Sequence, residues 1–189
     1  MRALNLVYIG AILFFSTASL LAQAGFEMKR FNTEGVAFDY PTKWTLKNES
    51  SSGAQEVILS RSESDAQLKV TVYRSRLSTP EKTAEARKRF VDPYIDLNVR
   101  TFQQMGANPR RSPATTTVSG VNADGVKIAA VLSGEPGAVL IYWVVVGERL
   151  VVLTFFGPDA ALKQAAPLLD TVRDSMLIVP PPSAKPVSK

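Results

Sequence analysis

The chain has 189 residues, 46% of them hydrophobic, which is the composition of a globular protein with a sizeable core. Its formal net charge is +5, and because acidic and basic residues are interleaved, this mild surplus does not indicate a nucleic-acid partner. Cysteine and histidine are both absent. Ser-His-Asp and Cys-His nucleophilic machinery, the common zinc sites, haem held by His or Cys, and disulfide bonds are therefore excluded.

Residues 1–24 contain the three parts of a secretory signal peptide in the right order. Arg2 supplies the positive charge, residues 4–21 are almost wholly apolar, and Ala22 and Ala24 are small residues where a signal peptidase cleaves. An apolar run of about 18 residues is also long enough for an uncleaved membrane anchor, whereas a lipid-attached cysteine is excluded. We expect cleavage and an exported bacterial protein, periplasmic or extracellular, with no stable membrane anchor afterwards.

The rest of the chain divides into three parts. Residues 25–34 are interpreted as an N-terminal lead-in and residues 35–179 as a single domain. Residues 180–189 form a proline-rich tail without core-forming residues, which is predicted to be extended and disordered.

The domain is predicted to begin with strands. Residues 35–44 alternate in the manner of a strand, and Pro41 favours a tight turn, so we expect a hairpin whose return strand begins at Trp44. After a polar loop, residues 56–60 and 68–73 are predicted to form an antiparallel pair.

A helix is predicted to follow these strands. Thr79 is a candidate N-cap, and Pro80 suits the first helical position. Pro93 cannot donate a backbone hydrogen bond, so the segment is either kinked there or consists of two helices, with Asp92 capping the second. Gly106 is expected to end it.

The pattern then returns to strands. A turn-rich connection over residues 120–125 separates the first two, and Gly147-Glu148 joins the last two. Glycine at the first of two central positions indicates a type II′ hairpin turn. The four predicted strands are residues 115–119, 126–133, 139–146 and 150–156.

A second helix is predicted to close the domain after residues 157–159, with Pro167 marking either a kink or the true first turn. The order of strands, helix, strands, helix indicates an α+β domain. We expect a mainly antiparallel β-sheet covered by helices on both faces.

Three segments carry a resemblance to a known family. They are Phe38-x-Tyr40-Pro41-x-x-Trp44, the hairpin from Tyr142 to Thr154, and the helix end Asp174-Ser175-Met176. With these motifs, residues 31–179 resemble the PsbP-like superfamily, which includes PsbP and DcrB-like exported domains. The resemblance implies an α/β/α sandwich and a noncatalytic binding or assembly role, and it supplies no catalytic residues.

Two groups of side chains are candidates for binding. Four arginines would form an anion- or partner-binding patch if the strand ends meet, and would otherwise belong to a solvated face. They are Arg74, Arg76, Arg110 and Arg111. The two tryptophans, Trp44 and Trp143, either stack on a ligand or belong to the core, as large aromatic residues in sheets usually do.

Taken together, these features predict an exported, noncatalytic binding or assembly module of the cell envelope. Its partner would be an envelope protein, a lipid or a glycan, and no nucleic acid, metal or cofactor is predicted. Two alternatives stay open. One is a carboxylate-based hydrolase acting on envelope glycans, and the other is an anion-binding envelope factor that uses the surface arginines.

Overall fold

A computed structural model describes residues 27–180 of the chain. Its elements, in chain order, are β1 (Met28–Thr33), β2 (Val36–Pro41), β3 (Thr45–Asn48), β4 (Ala54–Arg61), β5 (Ser64–Tyr73), α1 (Pro80–Ala86), a π-helical turn (Arg87–Val91), α2 (Asp92–Gln104), β6 (Arg110–Val118), β7 (Val121–Leu132), β8 (Glu135–Val146), β9 (Arg149–Pro158), α3 (Asp159–Ser175) and β10 (Leu177–Ile178).

The strands form two antiparallel sheets. The large sheet has seven strands in the order β3-β4-β5-β9-β8-β7-β6, and the small sheet has three in the order β1-β2-β10. The predicted pair of β4 with β5 and the predicted hairpin of β8 with β9 are both present. These findings confirm the predicted α+β class with a mainly antiparallel sheet.

Helix α3 and the small sheet cover one face of the large sheet. Leu162, Ala165, Leu169 and Val172 recur at helical spacing and are all buried against the strands. Phe38 of β2 is completely buried in the same cluster. This layer confirms the predicted amphipathic covering helix.

The helical layer covers the opposite face. We use this name for α1, the π-helical turn and α2, which together span Pro80–Gln104. Val91 and Ile95 of this layer pack against Ile141 of β8 and Val152 of β9 in a second apolar cluster. Helices therefore lie on both faces of the large sheet, as expected.

The hairpin predicted around Pro41 is wrong. Strand β2 pairs with β1 and β10 in the small sheet, whereas β3 pairs with β4 in the large sheet. The Trp44 N–H does donate to the Pro41 carbonyl (2.9 Å), which closes a turn. The turn carries the chain from one sheet to the other, and Trp44 is buried in the apolar cluster to which both sheets contribute. The range interpreted as a lead-in contains strand β1.

Two details of the later strands are also corrected. The expected connection over residues 120–125 is mostly strand, because Ser119 and Gly120 alone turn the chain, both with positive φ, and β7 begins at Val121. At the β8–β9 turn, Gly147 (φ 55°) and Glu148 (φ 60°) both have positive φ, which defines a type I′ rather than a type II′ turn.

The helical layer begins as predicted and continues differently. Thr79 caps α1 by accepting from the Lys82 N–H, and Gly106 (φ 80°) follows the end of α2. Asp92 is not a cap, because Val91 before it is itself helical. The π-helical turn leads the backbone directly into α2 and leaves no free helix end to cap.

Within α3, Pro167 lies inside the helix rather than in its first turn. No helix between residues 27 and 180 combines the length and the apolar character needed to cross a bilayer. The predicted signal segment and residues 181–189 of the predicted tail lie outside the described residues, so both stay predictions.

Candidate binding groove

A groove runs between the helical layer and strands β6, β7 and β8. It consists of two adjoining clefts with volumes of about 530 and 500 Å³, which share Arg87, Asp124 and Trp143 as lining residues. One cleft continues towards Asp96 and Arg111, and the other towards α1. We call this feature the cross-layer groove.

The floor of the groove is formed by a cross-strand pair. Trp143 of β8 and Asp124 of β7 lie directly opposite each other in the register of the two strands. Residues paired in this way project from the same face of a sheet. Asp124 is exposed and Trp143 is half-buried, so the groove presents an aromatic surface beside an accessible carboxylate.

The π-helical turn places a cation over this floor. Its first residue, Arg87, lies with its guanidinium carbon 5.1 Å from the centroid of the Trp143 ring, which is a cation–π contact. Arg87 Nε also lies 3.4 Å from Asp92 Oδ1. π-Helical turns occur frequently at functional sites, and here the turn brings the helical layer into contact with the middle of the groove.

Charges of both signs line the groove. Arg111 Nη2 of β6 forms a 2.6 Å ion pair with Asp96 Oδ1 of α2 and bridges the two layers at one end. Asp92 is paired with Arg87. Asp124 forms no ion pair with any residue between 27 and 180. Its carboxylate is therefore the available partner for an incoming basic group.

The groove combines an aromatic surface with charges that are mostly paired. Of its three carboxylates, Asp92 and Asp96 are already engaged by arginines. Across residues 27–180 no group of three or more acidic side chains could hold a metal ion. An aromatic surface flanked by fixed charges suits the recognition of a ligand with apolar and basic groups.

The structure separates the four arginines proposed from the sequence. Strands β5 and β6 lie at positions three and seven of the large sheet, about 19 Å apart at the usual strand spacing. The four antiparallel steps between them make β5 and β6 run in the same direction, so the end of β5 and the start of β6 lie at opposite ends of the sheet. Arg74 and Arg76 are therefore far from Arg110 and Arg111.

Three of these arginines are held by acidic neighbours. Arg74 pairs with Glu34, and Arg76 Nε lies 2.7 Å from Glu148 Oε2. Arg111 pairs with Asp96 across the groove, as described above. Arg110 precedes Arg111 in β6 and therefore projects from the opposite face. Of the four, Arg111 is the one that lines the cross-layer groove.

A fifth arginine accompanies Arg74 and has a structural role. Arg149 at the start of β9 is 3% exposed, donating to the Tyr73 carbonyl (3.2 Å) and to the Glu34 carbonyl (3.1 Å). Burial lowers the pKa of its guanidinium, with Arg74 contributing to the shift and Glu34 opposing it. Arg149 thus joins the two sheets at this end of the molecule.

The fold is similar to that of several solved structures. Cyanobacterial PsbP (CyanoP) from Synechocystis sp. PCC 6803 matches with a TM-score of 0.54 at 15% identity, covering 86% of this chain and 98% of that chain. This chain has a PsbP-like fold. The Ran-binding protein Mog1p from Saccharomyces cerevisiae matches the same PsbP-like fold with a TM-score of 0.53 at 11% identity, covering 82% of this chain and 97% of that chain.

A protein from Bacteroides thetaiotaomicron also matches this chain, with a TM-score of 0.51 at 12% identity, covering 85% of this chain and 50% of that chain. No protein-family model and no curated protein matches the chain. At these identities the likeness establishes the PsbP-like fold and assigns no role to any residue.

Of the residues that line the groove, the sequence singled out Trp143 and Arg111 but not Arg87 or Asp124. Trp44 is 6% exposed and belongs to the core, as expected for a large aromatic residue in a sheet. Trp143 differs, because the side chain lying over it is the charged Arg87 rather than an apolar helix residue. The strand position of Trp143 was predictable, whereas its charged neighbour lies in a π-helical turn that the sequence did not indicate.

Proposed function

We propose that this protein is an exported, noncatalytic binding module of the cell envelope and that the cross-layer groove is its binding surface. The proposal of export rests on the signal segment in residues 1–24. The observation that carries the proposed binding site is that half-buried Trp143 lies directly opposite Asp124 on the neighbouring strand. The carboxylate of Asp124 forms no ion pair with any residue between 27 and 180. Aromatic residues of this kind are typical anchors of binding surfaces.

The proposed partner is an extended segment of another protein. The two clefts adjoin along the helical layer, which favours a ligand that lies lengthwise rather than a compact one. Such a segment would place an apolar side chain against Trp143 and a basic side chain beside Asp124. A protein of the same fold, Mog1p, is a Ran-binding protein, which supports a protein partner by analogy of fold.

The ion pairs in the groove support the noncatalytic proposal. A carboxylate-based glycosidase uses two acidic groups on either side of the scissile bond. Asp92 and Asp96 both form ion pairs with arginines, so a hydrolase would have to use Asp124 without an evident second carboxylate.

Affinity capture with matched charge variants tests the proposal. Residues 25–189 would be immobilised and exposed to an envelope extract, in parallel with Asp124→Lys and with Glu63→Lys. Both positions are exposed acids, but Glu63 lies in the β4–β5 connection, outside the groove.

We expect Asp124→Lys to lose, by at least about tenfold, a protein that wild type and Glu63→Lys both retain, because a repulsive charge costs more than about 1.4 kcal/mol here. Equal retention by all three proteins would refute the groove as the binding surface. Retention of a lipid or a glycan in place of a protein would refute the proposed class of partner.

A further inference from the structure

The last described residues leave the fold beside one end of the cross-layer groove. The Val179 N–H donates to the Gly35 carbonyl (2.8 Å), and a Cβ placed on Gly147 would lie 2.6 Å from the Ile178 carbonyl oxygen. The β8–β9 turn therefore contacts the base of the C-terminal segment. In the same turn, Glu148 accepts a hydrogen bond from the Leu77 N–H (2.7 Å), just ahead of the helical layer.

The groove begins at this same end of the molecule. The cleft beside α1 is lined by Pro80 at the start of the helix, by Val145 near the end of β8 and by Leu150 near the start of β9. Trp143 lies four residues before Gly147 along β8, or about 13 Å at the rise of a strand. Residues 181–189 span up to about 28 Å in a polyproline conformation, which is enough to pass the turn and reach Trp143.

The composition of this segment matches the lining of the groove. Residues 181–189 read PPSAKPVSK, with three prolines, two lysines and no acid. Proline-rich segments bind grooves lined by aromatic residues, because their extended conformation is already low in entropy. Lysines in turn are attracted to carboxylates, and the carboxylate of Asp124 lies beside the Trp143 ring on the groove floor.

We propose that residues 181–189 fold back into the cross-layer groove of the same chain, with proline against Trp143 and lysine beside Asp124. The inference rests on the proposed function in one respect, since it takes the groove to be the binding surface. A tethered segment has an effective concentration in the millimolar range. A partner must therefore displace it, and the segment excludes weaker ligands from the groove.

Nuclear magnetic resonance of the two tryptophan indole N–H groups tests this inference. The chain over residues 25–189 is compared with residues 25–180, which keep both sheets and all helices. Trp143→Phe identifies the two signals. Removing residues 181–189 should shift the Trp143 signal by more than its linewidth and leave that of buried Trp44 in place.

A synthetic peptide of residues 180–189 provides the second arm. Added to the truncated protein at millimolar concentration, it should return the Trp143 signal towards its position in the longer chain. The same peptide with Lys185→Glu and Lys189→Glu should not. Asp124→Asn in the longer chain should reproduce much of the deletion shift, whereas Glu63→Gln should not.

A Trp143 signal that does not change when residues 181–189 are removed would overturn the inference. An equal effect of the two peptides on that signal would overturn it as well. If the difference in the Trp143 signal between the two chains disappears on dilution, the groove is occupied by residues 181–189 of a second copy. That result would also overturn the inference. These outcomes are separate from those of the partner test. If residues 181–189 never occupy the groove, loss of partner capture by Asp124→Lys would still support the groove as the surface that binds the partner.

Discussion

Replacement of Arg149 by methionine should destabilise the fold strongly, because this buried side chain joins the two sheets. The guanidinium donates to the carbonyls of Tyr73 and Glu34 at 3.2 and 3.1 Å. Hydrogen bonds from a charged donor contribute about 1.5–3 kcal/mol each. Relief of the cost of burying the charge offsets part of their sum, so we expect a loss of about 2–4 kcal/mol.

Urea unfolding measures this loss as a lower midpoint with an unchanged dependence on denaturant. The control is Arg30→Met, which removes an exposed ion pair with Asp39 (2.7 Å) and should cost no more than about 1 kcal/mol. If Arg149→Met and Arg30→Met unfold within about 0.5 kcal/mol of each other, the role assigned to Arg149 is refuted.

Three further predictions concern the groove, a partly buried tyrosine and a tight backbone contact. A double-mutant cycle of Arg87→Gln with Trp143→Leu should give a coupling of about 0.5–1 kcal/mol in urea unfolding, and additive effects would refute the cation–π contact. Burial, assisted by Glu56 and Tyr94, raises the pKa of Tyr73. The contribution of protonated Tyr73 to the free energy of unfolding is fully present below the unfolded-state pKa of about 10, and it is lost as the pH rises through the folded-state pKa. The free energy of unfolding of Tyr73→Phe should therefore fall less steeply than that of wild type above about pH 10. Gly157→Ala should cost more than about 2 kcal/mol, since its φ is +151° and the new Cβ would lie 2.8 Å from the Asp65 carbonyl oxygen. Gly53→Ala, with no atom within 4 Å, is the control, and equal stability of the two variants would contradict the clash.

Local signals allowed much of the fold to be predicted. The cap at Thr79 depends on neighbouring residues, and so does the hairpin across Gly147-Glu148. The strand exchange after Pro41 was not predictable in this way. Strand β10 reaches β2 from about 140 positions further along the chain, and this long-range pair takes the place beside β2 that the predicted return strand would have filled.

The candidate site was less predictable than the fold. Asp124 was assigned to a connection, although it lies in a long strand directly opposite Trp143. Nothing in the sequence indicated that Arg87 covers a tryptophan, because helical spacing alone does not show which side chain lies over a strand. A π-helical turn begins at Arg87, whose guanidinium lies over the Trp143 ring, and such turns leave little trace in the spacing of apolar residues.

Photo-crosslinking from the two sides of α1 shows whether a partner protein lies in the cross-layer groove. A photoreactive residue would replace Thr83, which lines the groove, or the exposed Glu85, which does not. Both sites lie on the same helix and are two residues apart, so expression and stability should be similar. If the cross-layer groove is the binding surface, a partner protein from the envelope is crosslinked from position 83 and not from position 85. Crosslinking of that partner from position 85 alone would contradict it.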